Sequence, residues 1–265
     1  MSKNYILPID NKILLKIEDL YINNAKGEGW DRRKKIEQLY YNFSINNLQF
    51  KGSRELETRW EIIKNLDFSG KRILDIGSNI GLIGLFLIHF NNAEKVTFVE
   101  HDKASCKIIK ELSIGLGLQK KVEIINKNFN RIDLKKCLGF NYDSVIMLSS
   151  FKYFHDMHKA MDYFKRFPSI LFEGDKEIYE KEFEDFFSFY NFKFQKLSRI
   201  EDNSGRSRML YIFTKQDIQK NLTNPKKPKL SYSPPKKNYL ESFIIRLRNL
   251  NSFKRLVKFI KLLKY

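Results

Sequence analysis

The sequence predicts an α/β protein with a mostly parallel, Rossmann-like sheet covered by helices on both faces. Short β-prone runs alternate with helix-compatible stretches, and two further runs are separated by only the short turn EDNSGR. The alternating runs occupy residues 72–76, 95–100, 121–126, 143–148 and 169–173. Strands joined through helices pair in parallel. The last two runs, near 192–199 and 207–214, are expected to form an antiparallel hairpin because their connection is short.

The chain divides into four predicted segments. Residues 1–70 are expected to form helices and loops that act as a lid, and residues 71–215 to form the α/β core. Residues 216–238 hold four of the six prolines of the chain, which favours an extended, semi-rigid linker. Residues 239–265 form a basic tail.

The charge of the chain is unevenly distributed. Of the formal net charge of +18, residues 220–265 carry +12 and residues 1–219 carry +6. The two cysteines, Cys106 and Cys137, form neither a disulfide framework nor a metal-ligand spacing. No apolar run reaches the roughly 20 residues of a membrane-spanning helix, and the first residues do not resemble a signal peptide. We expect a reduced cytoplasmic protein without a metal site.

The segment GKRILDIGSNIGLIGLFL, residues 70–87, carries the most specific motif. A buried strand ends at Asp75, a turn contains Gly77 and Gly81, and a helix begins with Gly84 in its first turn. Glycines permit positive φ and let a ligand approach the backbone, and a helix N-terminus offers free N–H groups. The spacing differs from the GxGxxG of dinucleotide-binding proteins. It resembles the DxGxxxG form of motif I of class I methyltransferases; the alternative is a tight strand–helix turn that binds no ligand.

This resemblance covers residues 71–215 and implies S-adenosylmethionine as the cofactor. The methionine end would lie on the glycine turn. Glu100 ends the second strand, 25 residues after Asp75, where an acid can accept hydrogen bonds from ribose hydroxyls. His101 would flank the adenosine, and Asn128 and Phe129 would contact the adenine. The predicted cofactor residues are Asp75, Gly77, Ser78, Asn79, Gly81, Glu100, His101, Asn128, Phe129 and Ser149.

We expect the catalytic residues in the loops that follow the fourth and fifth strands. The segment YDSVIMLSSFKYFHD resembles motif IV of the family, whose loop lies near the methyl group. Methyl transfer depends on alignment, and a hydroxyl acceptor also needs a general base. His155 and Glu173 are the candidates; the alternative for each is a helix-capping role. The predicted substrate residues are Arg54, Arg59, Lys152 and Arg206, and the alternatives are a plain amphipathic helix around Arg59 and a solvated turn at Arg206.

The tail shows apolar residues at helical spacing, surrounded by Lys and Arg. This pattern predicts a basic amphipathic helix that binds an anionic membrane surface or a membrane-bound assembly complex. The alternatives are docking on another protein and binding of RNA. The predicted location is therefore cytoplasmic, peripheral at the inner membrane face.

The motif layout also resembles bacterial polysaccharide-cluster methyltransferases. This resemblance implies O-methylation of a sugar hydroxyl or phosphate in a small-molecule or lipid-linked glycan precursor of a capsule or lipopolysaccharide. Two alternatives stay open. One is an RNA methyltransferase, with nucleic acid the less favoured partner because residues 1–219 are only mildly basic. The other is a cofactor-binding scaffold without catalysis.

Overall fold

The computed structural model describes residues 4–27, 39–50, 52–175, 177–201 and 207–216, with residues 227, 228 and 230. In the N-terminal part, the elements are β1(Asn4–Tyr5), α1(Asn11–Gly27), β2(Leu39–Ile45), β3(Leu48–Phe50), β4(Gly52–Glu55) and α2(Leu56–Ile63). The strands form a small sheet in which β2 pairs with β1, β3 and β4. Residues 1–70 were predicted to form helices and loops, and that prediction is wrong for the strands within residues 39–55.

The small sheet has a physical origin in a period-two pattern. Tyr41, Phe43 and Ile45 alternate along β2 and are buried, which is the spacing of one face of a strand. Asn46 and Asn47 follow with φ of 47° and 68°, the left-handed conformation that two-residue hairpin turns require and that Asn tolerates. This hairpin leads the chain into β4 and α2, which carry two arginines of the candidate site.

The core is a seven-stranded sheet in the order β10-β11-β9-β8-β5-β6-β7. Its strands are β5(Arg72–Ile76), β6(Lys95–Glu100), β7(Val122–Asn126), β8(Ser144–Leu148), β9(Ser169–Glu173), β10(Phe192–Glu201) and β11(Ser207–Lys215). The strands β5 to β9 pair in parallel, and β11 pairs antiparallel with both β9 and β10. The predicted mostly parallel α/β sheet with a terminal hairpin is confirmed.

Helices cover both faces of this sheet. They are α3(Leu82–Asn91), α4(Lys103–Gly115), α5(Leu134–Leu138), α6(Met157–Phe164) and α7(Glu180–Phe189). Residues of α3 and α4 share one apolar cluster with the N-terminal elements, whereas those of α5, α6 and α7 share the cluster on the other face. This arrangement leaves the upper edge, where the parallel strands end, to loops.

The second apolar cluster is dominated by phenylalanine, and it anchors the loop after β8. Phe151 is 1% exposed and packs edge-on against Phe172 of β9 and Phe183 of α7. Phe187 and Phe213 stack with ring centroids 3.9 Å apart. Burying a phenyl side chain contributes roughly 1.5–3 kcal/mol. Because Phe151 directly follows Ser149 and Ser150, the core fixes those two residues at the sheet edge.

Several predictions lie outside the described residues: the basic tail, most of the linker and Arg206. Across the ranges given above, no helix has both the length and the apolar character needed to cross a bilayer.

Candidate active site

Polar residues close the strands at the upper edge of the sheet. Asp75 in β5, Glu100 at the end of β6 and Glu173 at the end of β9 are 5%, 6% and 1% exposed. Ser149, directly after β8, is 6% exposed. The structure thus brings these predicted residues to one edge, as parallel strands require.

The turn between β5 and α3 is held in a left-handed conformation at three positions. The φ angles are 70° at Gly77, 53° at Asn79 and 70° at Gly81. The backbone N–H of Gly77 donates to the carbonyl of Val99 over 2.8 Å, which ties the turn to β6. Asn79 is the one of these three that carries a side chain, and Asn is among the side chains that tolerate this conformation.

The glycines of the turn are needed for packing. A Cβ on Gly77 would lie 2.7 Å from Cβ of Ser150, and one on Gly84 would lie 2.4 Å from the ring of Phe98. Gly84 therefore allows α3 to pack closely on the sheet, and Gly77 allows the loop after β8 to approach the turn. Packing alone explains these glycines, whether or not the turn binds a ligand.

The carboxyl group of Asp75 is the first such polar group. It is buried beneath the turn, and no group in the described part of the chain donates a hydrogen bond to it. Burial raises the pKa of Asp75 from its ordinary value of 3.8 to about 8, and the nearby Glu100 carboxylate adds to the rise. A buried acid in this state favours a cationic ligand, which would stabilise its ionised form.

Glu100 fixes the turn and keeps capacity for a ligand. Its Oε1 accepts hydrogen bonds from the backbone N–H groups of His101 (2.7 Å) and Asp102 (2.9 Å). The ring nitrogen Nδ1 of His101 lies 2.9 Å from the same oxygen. Its Oε2 accepts from the backbone N–H of Asn79 over 2.8 Å. Among described residues that is the one hydrogen bond to Oε2, so a lone pair remains for a hydroxyl group.

Two buried serine hydroxyls at the turn also lack hydrogen-bond partners among the described residues. Ser78 and Ser150 are 8% and 4% exposed, and neither Oγ atom has a hydrogen-bond partner within the described ranges. Buried hydroxyls usually have partners, and each exception needs an explanation. A ligand with polar groups at the glycine turn supplies one. Ser150 was not among the predicted residues, although it adjoins Ser149 in the sequence.

The predicted adenine contacts lie beside this turn. The ring of Phe129 lies 3.9 Å from where a Cβ on Gly77 would be, and it packs against Phe154 with centroids 4.4 Å apart. The side-chain carbonyl of Asn128 accepts a hydrogen bond from the backbone N–H of Asn130 over 2.9 Å. Phe129 therefore lies beside the glycine turn, whereas the carbonyl of Asn128 already serves a local cap.

Glu173 lies in a buried ion cluster. Arg59 donates from Nε to Oε2 over 3.1 Å and from its terminal nitrogen to Oε1 over 2.8 Å. Arg54 lies 3.4 Å from Oε1 and donates to Oγ of Ser149 over 3.0 Å. Burial by itself raises the pKa of Glu173, but the two arginines outweigh it and hold the pKa at about 2.

This geometry argues against two of the predicted roles. A carboxylate with a pKa of about 2, bound by Arg59 on both oxygens, is a poor general base near neutral pH. Arg59 is 0% exposed and is a structural partner of Glu173. Arg54 contacts both Glu173 and Ser149, so it remains close to the predicted substrate side of the edge.

Lys152 also lies at this edge, in the short helical turn Phe151–Tyr153. Its Nζ lies 3.3 Å from Oδ1 of Asp175, and Nε of Arg208 lies 3.7 Å from the same oxygen. Burial lowers the pKa of Lys152, and the charge of Asp175 works against that change. Arg208, near the start of β11, is 1% exposed.

His155 does not join the buried groups. Its side chain is exposed, and its backbone N–H donates to the side-chain carbonyl of Asn130 over 3.0 Å. The amide of Asn130 in turn donates to the carbonyl of Tyr153 over 2.7 Å. Asn130 therefore holds the segment after β8 in place. It was not predicted, because nothing local in the sequence shows a contact across 23 residues.

The chain is similar in fold to several solved protein structures. No protein-family model and no curated protein matches the chain. Among solved structures, a protein of Pyrococcus horikoshii, assigned provisionally as an RNA methyltransferase, is 20% identical (78% of this chain, 98% of that chain, TM-score 0.49). A SAM-dependent methyltransferase from Aquifex aeolicus is 18% identical (60% and 88%, TM-score 0.45).

TrmK from M. capricolum, in complex with S-adenosylhomocysteine, is 15% identical (74% of this chain, 89% of that chain, TM-score 0.46). The predicted resemblance to polysaccharide-cluster methyltransferases gains no support from these structures.

Proposed function

We propose that this protein is an S-adenosylmethionine-dependent methyltransferase. The observation that carries the proposal is the set of unsatisfied polar groups around the glycine turn. They are the buried carboxyl of Asp75, the free lone pair of Glu100 Oε2 and the hydroxyls of Ser78 and Ser150. The cofactor has an ammonium, a carboxylate and ribose hydroxyls, and these groups match an acid, hydroxyl donors and a second acid.

The residues present fit the cofactor at both of its ends. Asp75 would pair with the ammonium group, because a cation stabilises an ionised carboxylate in a buried site. Glu100 would accept a hydrogen bond from a ribose hydroxyl through Oε2. Phe129 would pack against the adenine. When bound, the cofactor supplies a methyl group on a sulfonium, and the protein's contribution is to orient it toward the acceptor.

Calorimetric titration of S-adenosylhomocysteine tests the proposal. We expect micromolar binding to the wild type and at least about a tenfold loss in Glu100→Ala, because hydrogen bonds to a charged group contribute roughly 1.5–3 kcal/mol. Glu100→Gln, which keeps one acceptor oxygen, is the conservative control for a folding effect. NAD, which also carries adenine and ribose, is the control ligand. Wild-type protein that binds NAD but not S-adenosylhomocysteine would overturn the proposal.

The methyl acceptor is a separate question. The sequence predicts a sugar hydroxyl or phosphate of a glycan precursor, but the cations Lys152 and Arg54 at this edge are already paired with Asp175 and Glu173. The alternative acceptor is RNA, and exposed cations beside the cofactor residues favour it. Transfer of a radiolabelled methyl group to total RNA and to a lipid-linked glycan extract, side by side, separates the two. Label in the glycan fraction alone would exclude the RNA acceptor.

A further inference from the structure

A run of exposed cations follows one edge of the seven-stranded sheet. Residues 103–140 hold nine Lys and Arg against three acids, and all nine basic residues are exposed. The rest of residues 1–219 holds 27 basic and 27 acidic residues. The whole formal net charge of residues 1–219 therefore comes from this segment. We call its exposed Lys and Arg the β7-edge surface.

The first part of the β7-edge surface lies on α4 and the turn that follows it. Lys103, Lys107 and Lys110 are exposed. Their spacings of four and three residues place them on one side of the helix. Lys120 and Lys121, in the helical turn before β7, are also exposed. These five side chains lead from α4 to the beginning of the edge strand.

The second part crosses to the other face of the sheet. Since β7 is the edge strand, the chain passes around the open side of the sheet here. Lys127 and Arg131 flank the predicted adenine contacts, and Lys135 and Lys136 follow on α5. Because α4 and α5 belong to the clusters on opposite faces, the cations follow a convex path around the edge.

The acids of this segment do not neutralise these cations. Glu111 pairs with Lys16 (2.7 Å), and Glu123 pairs with Lys95 (2.6 Å). Asp133 accepts a hydrogen bond from the backbone N–H of Lys136 at the start of α5. Between residues of the described ranges, no ion pair joins a cation of the β7-edge surface to a carboxylate. The surface is therefore complementary to a partner with repeated negative charge.

We infer that the β7-edge surface binds single-stranded RNA and guides it to the methyl-transfer site. Repeated exposed cations match the regular phosphates of a nucleic acid strand, which binds through such contacts. A strand can follow a convex path over both faces of the sheet edge, whereas a planar membrane contacts only one side. Binding does not depend on the proposed function; only the destination of the strand rests on it.

The distance from β7 to the candidate site can be spanned by a short length of RNA. In the order β8-β5-β6-β7, β7 lies three positions from β8, which is about 14 Å at roughly 4.8 Å per strand. A few nucleotides bridge that distance. In the loop before β8, at the opposite ends of the strands from the site, Phe140 adds a stacking surface: it is 38% exposed, with the guanidinium of Arg166 4.6 Å and Nζ of Lys135 5.7 Å from its ring centre. Exposed aromatic rings among cations are typical of single-strand binding sites.

Fluorescence anisotropy with a labelled unstructured RNA of about 20 nucleotides, longer than a typical site, tests the inference. The full-length triple variant Lys103→Gln, Lys107→Gln, Lys110→Gln removes three charges from the surface. The matched control, Lys12→Gln, Lys181→Gln, Lys193→Gln, removes three exposed charges elsewhere. Affinity is measured from about 50 to 200 mM KCl, because each phosphate contact contributes about 0.7 to the salt slope for a single strand.

We expect the α4 variant to lose at least about tenfold in affinity and about two in salt slope, and the control to stay within about twofold. Equal losses in both variants would overturn the inference, since the affinity would then come from total charge. Unchanged RNA affinity in the α4 variant would also overturn it. If binding to phosphatidylserine vesicles were lost instead, the surface would be a membrane site.

Titration of S-adenosylhomocysteine in the same preparations separates this inference from the proposed function. Cofactor binding that is intact in the α4 variant, together with lost RNA binding, supports both. Surface-dependent RNA binding without cofactor binding would overturn the proposed function alone. If the cofactor binds but RNA affinity does not depend on the β7-edge surface, the inference alone would be overturned.

Discussion

Asp75 and Glu173 stand at the same edge of the sheet and differ in their surroundings. Both carboxyl groups are buried at the ends of parallel strands. The pKa of Asp75 is about 8, because burial and Glu100 both disfavour its charge. The pKa of Glu173 is about 2, because Arg59 and Arg54 outweigh its burial. Glu173 has cationic partners within the protein, and among the described residues no ion pair joins Asp75 to a cation.

This difference separates a structural acid from a binding acid. A buried charge without a partner costs free energy, whereas a paired one with satisfied hydrogen bonds is tolerated. Glu173 holds β9, α2 and the loop after β8 together through its arginines. Ionising Asp75 costs free energy in the protein alone, and a bound cation would reduce that cost. Groups with such perturbed pKa values are common at binding sites.

Removing the charge of Glu173 should have the largest effect. Glu173→Gln leaves Arg59 buried without its carboxylate, and we expect the free energy of unfolding to fall by about 3–5 kcal/mol. Urea denaturation at neutral pH measures this. Asp185→Asn, which breaks the exposed pair with Lys181, should change it by less than about 1 kcal/mol. Similar small losses in both variants would remove the proposed structural role of Glu173.

Removing the charge of Asp75 should raise the free energy of unfolding, the opposite of the effect at Glu173. Because its pKa rises from 3.8 to about 8 on folding, its protonated form stabilises the protein below pH 3.8, and this contribution is lost as the pH rises to 8. We expect Asp75→Asn to be more stable than the wild type by about 5 kcal/mol at pH 8, because a tenfold change in proton affinity corresponds to about 1.4 kcal/mol. Thermal and urea unfolding across this pH range measure the difference. A less stable variant at pH 8 would contradict the comparison.

Cofactor binding should depend on pH through the same group. If Asp75 must be ionised to pair with an ammonium group, affinity for S-adenosylhomocysteine should rise about tenfold per pH unit, or 1.4 kcal/mol, up to pH 8. Calorimetry in buffers of different ionisation enthalpy should show proton release below pH 8. Asp75→Asn should show weak binding with a flat profile. A flat profile in the wild type would mean that Asp75 does not receive the ammonium group.

The turn above Asp75 should tolerate a side chain poorly. At Gly77, φ is 70° and a Cβ would lie 2.7 Å from Cβ of Ser150. We expect Gly77→Ala to reduce the free energy of unfolding by about 1 kcal/mol or more, from the backbone conformation and the contact. Adding Ser150→Gly should recover the part due to the contact. No recovery in the double variant would assign the whole loss to the backbone.

The sequence was informative where local pattern decides structure. Buried parallel strands are continuous apolar runs, so the ends of β5 and β6 could be located, and with them Asp75 and Glu100. The roles of Glu173 and Arg59 could not be predicted, because they meet across 114 residues. The strands of residues 39–55 were missed because they are short and lie between helical segments. The charge excess of residues 103–140 is present in the sequence, but its position around a sheet edge depends on the order of the strands.

The side chain of Asn130 has a consequence for how two ligands affect each other. It joins the segment after Phe129 to the backbone of Tyr153 and His155, so the proposed adenine side and the proposed acceptor side are linked by the same hydrogen bonds. An acceptor that orders these bonds reduces the entropy that the cofactor must remove, and the cofactor does the same for the acceptor. Thermodynamic reciprocity makes the two gains in affinity equal. A protein with the proposed function would then hold its methyl donor most tightly when an acceptor is in place.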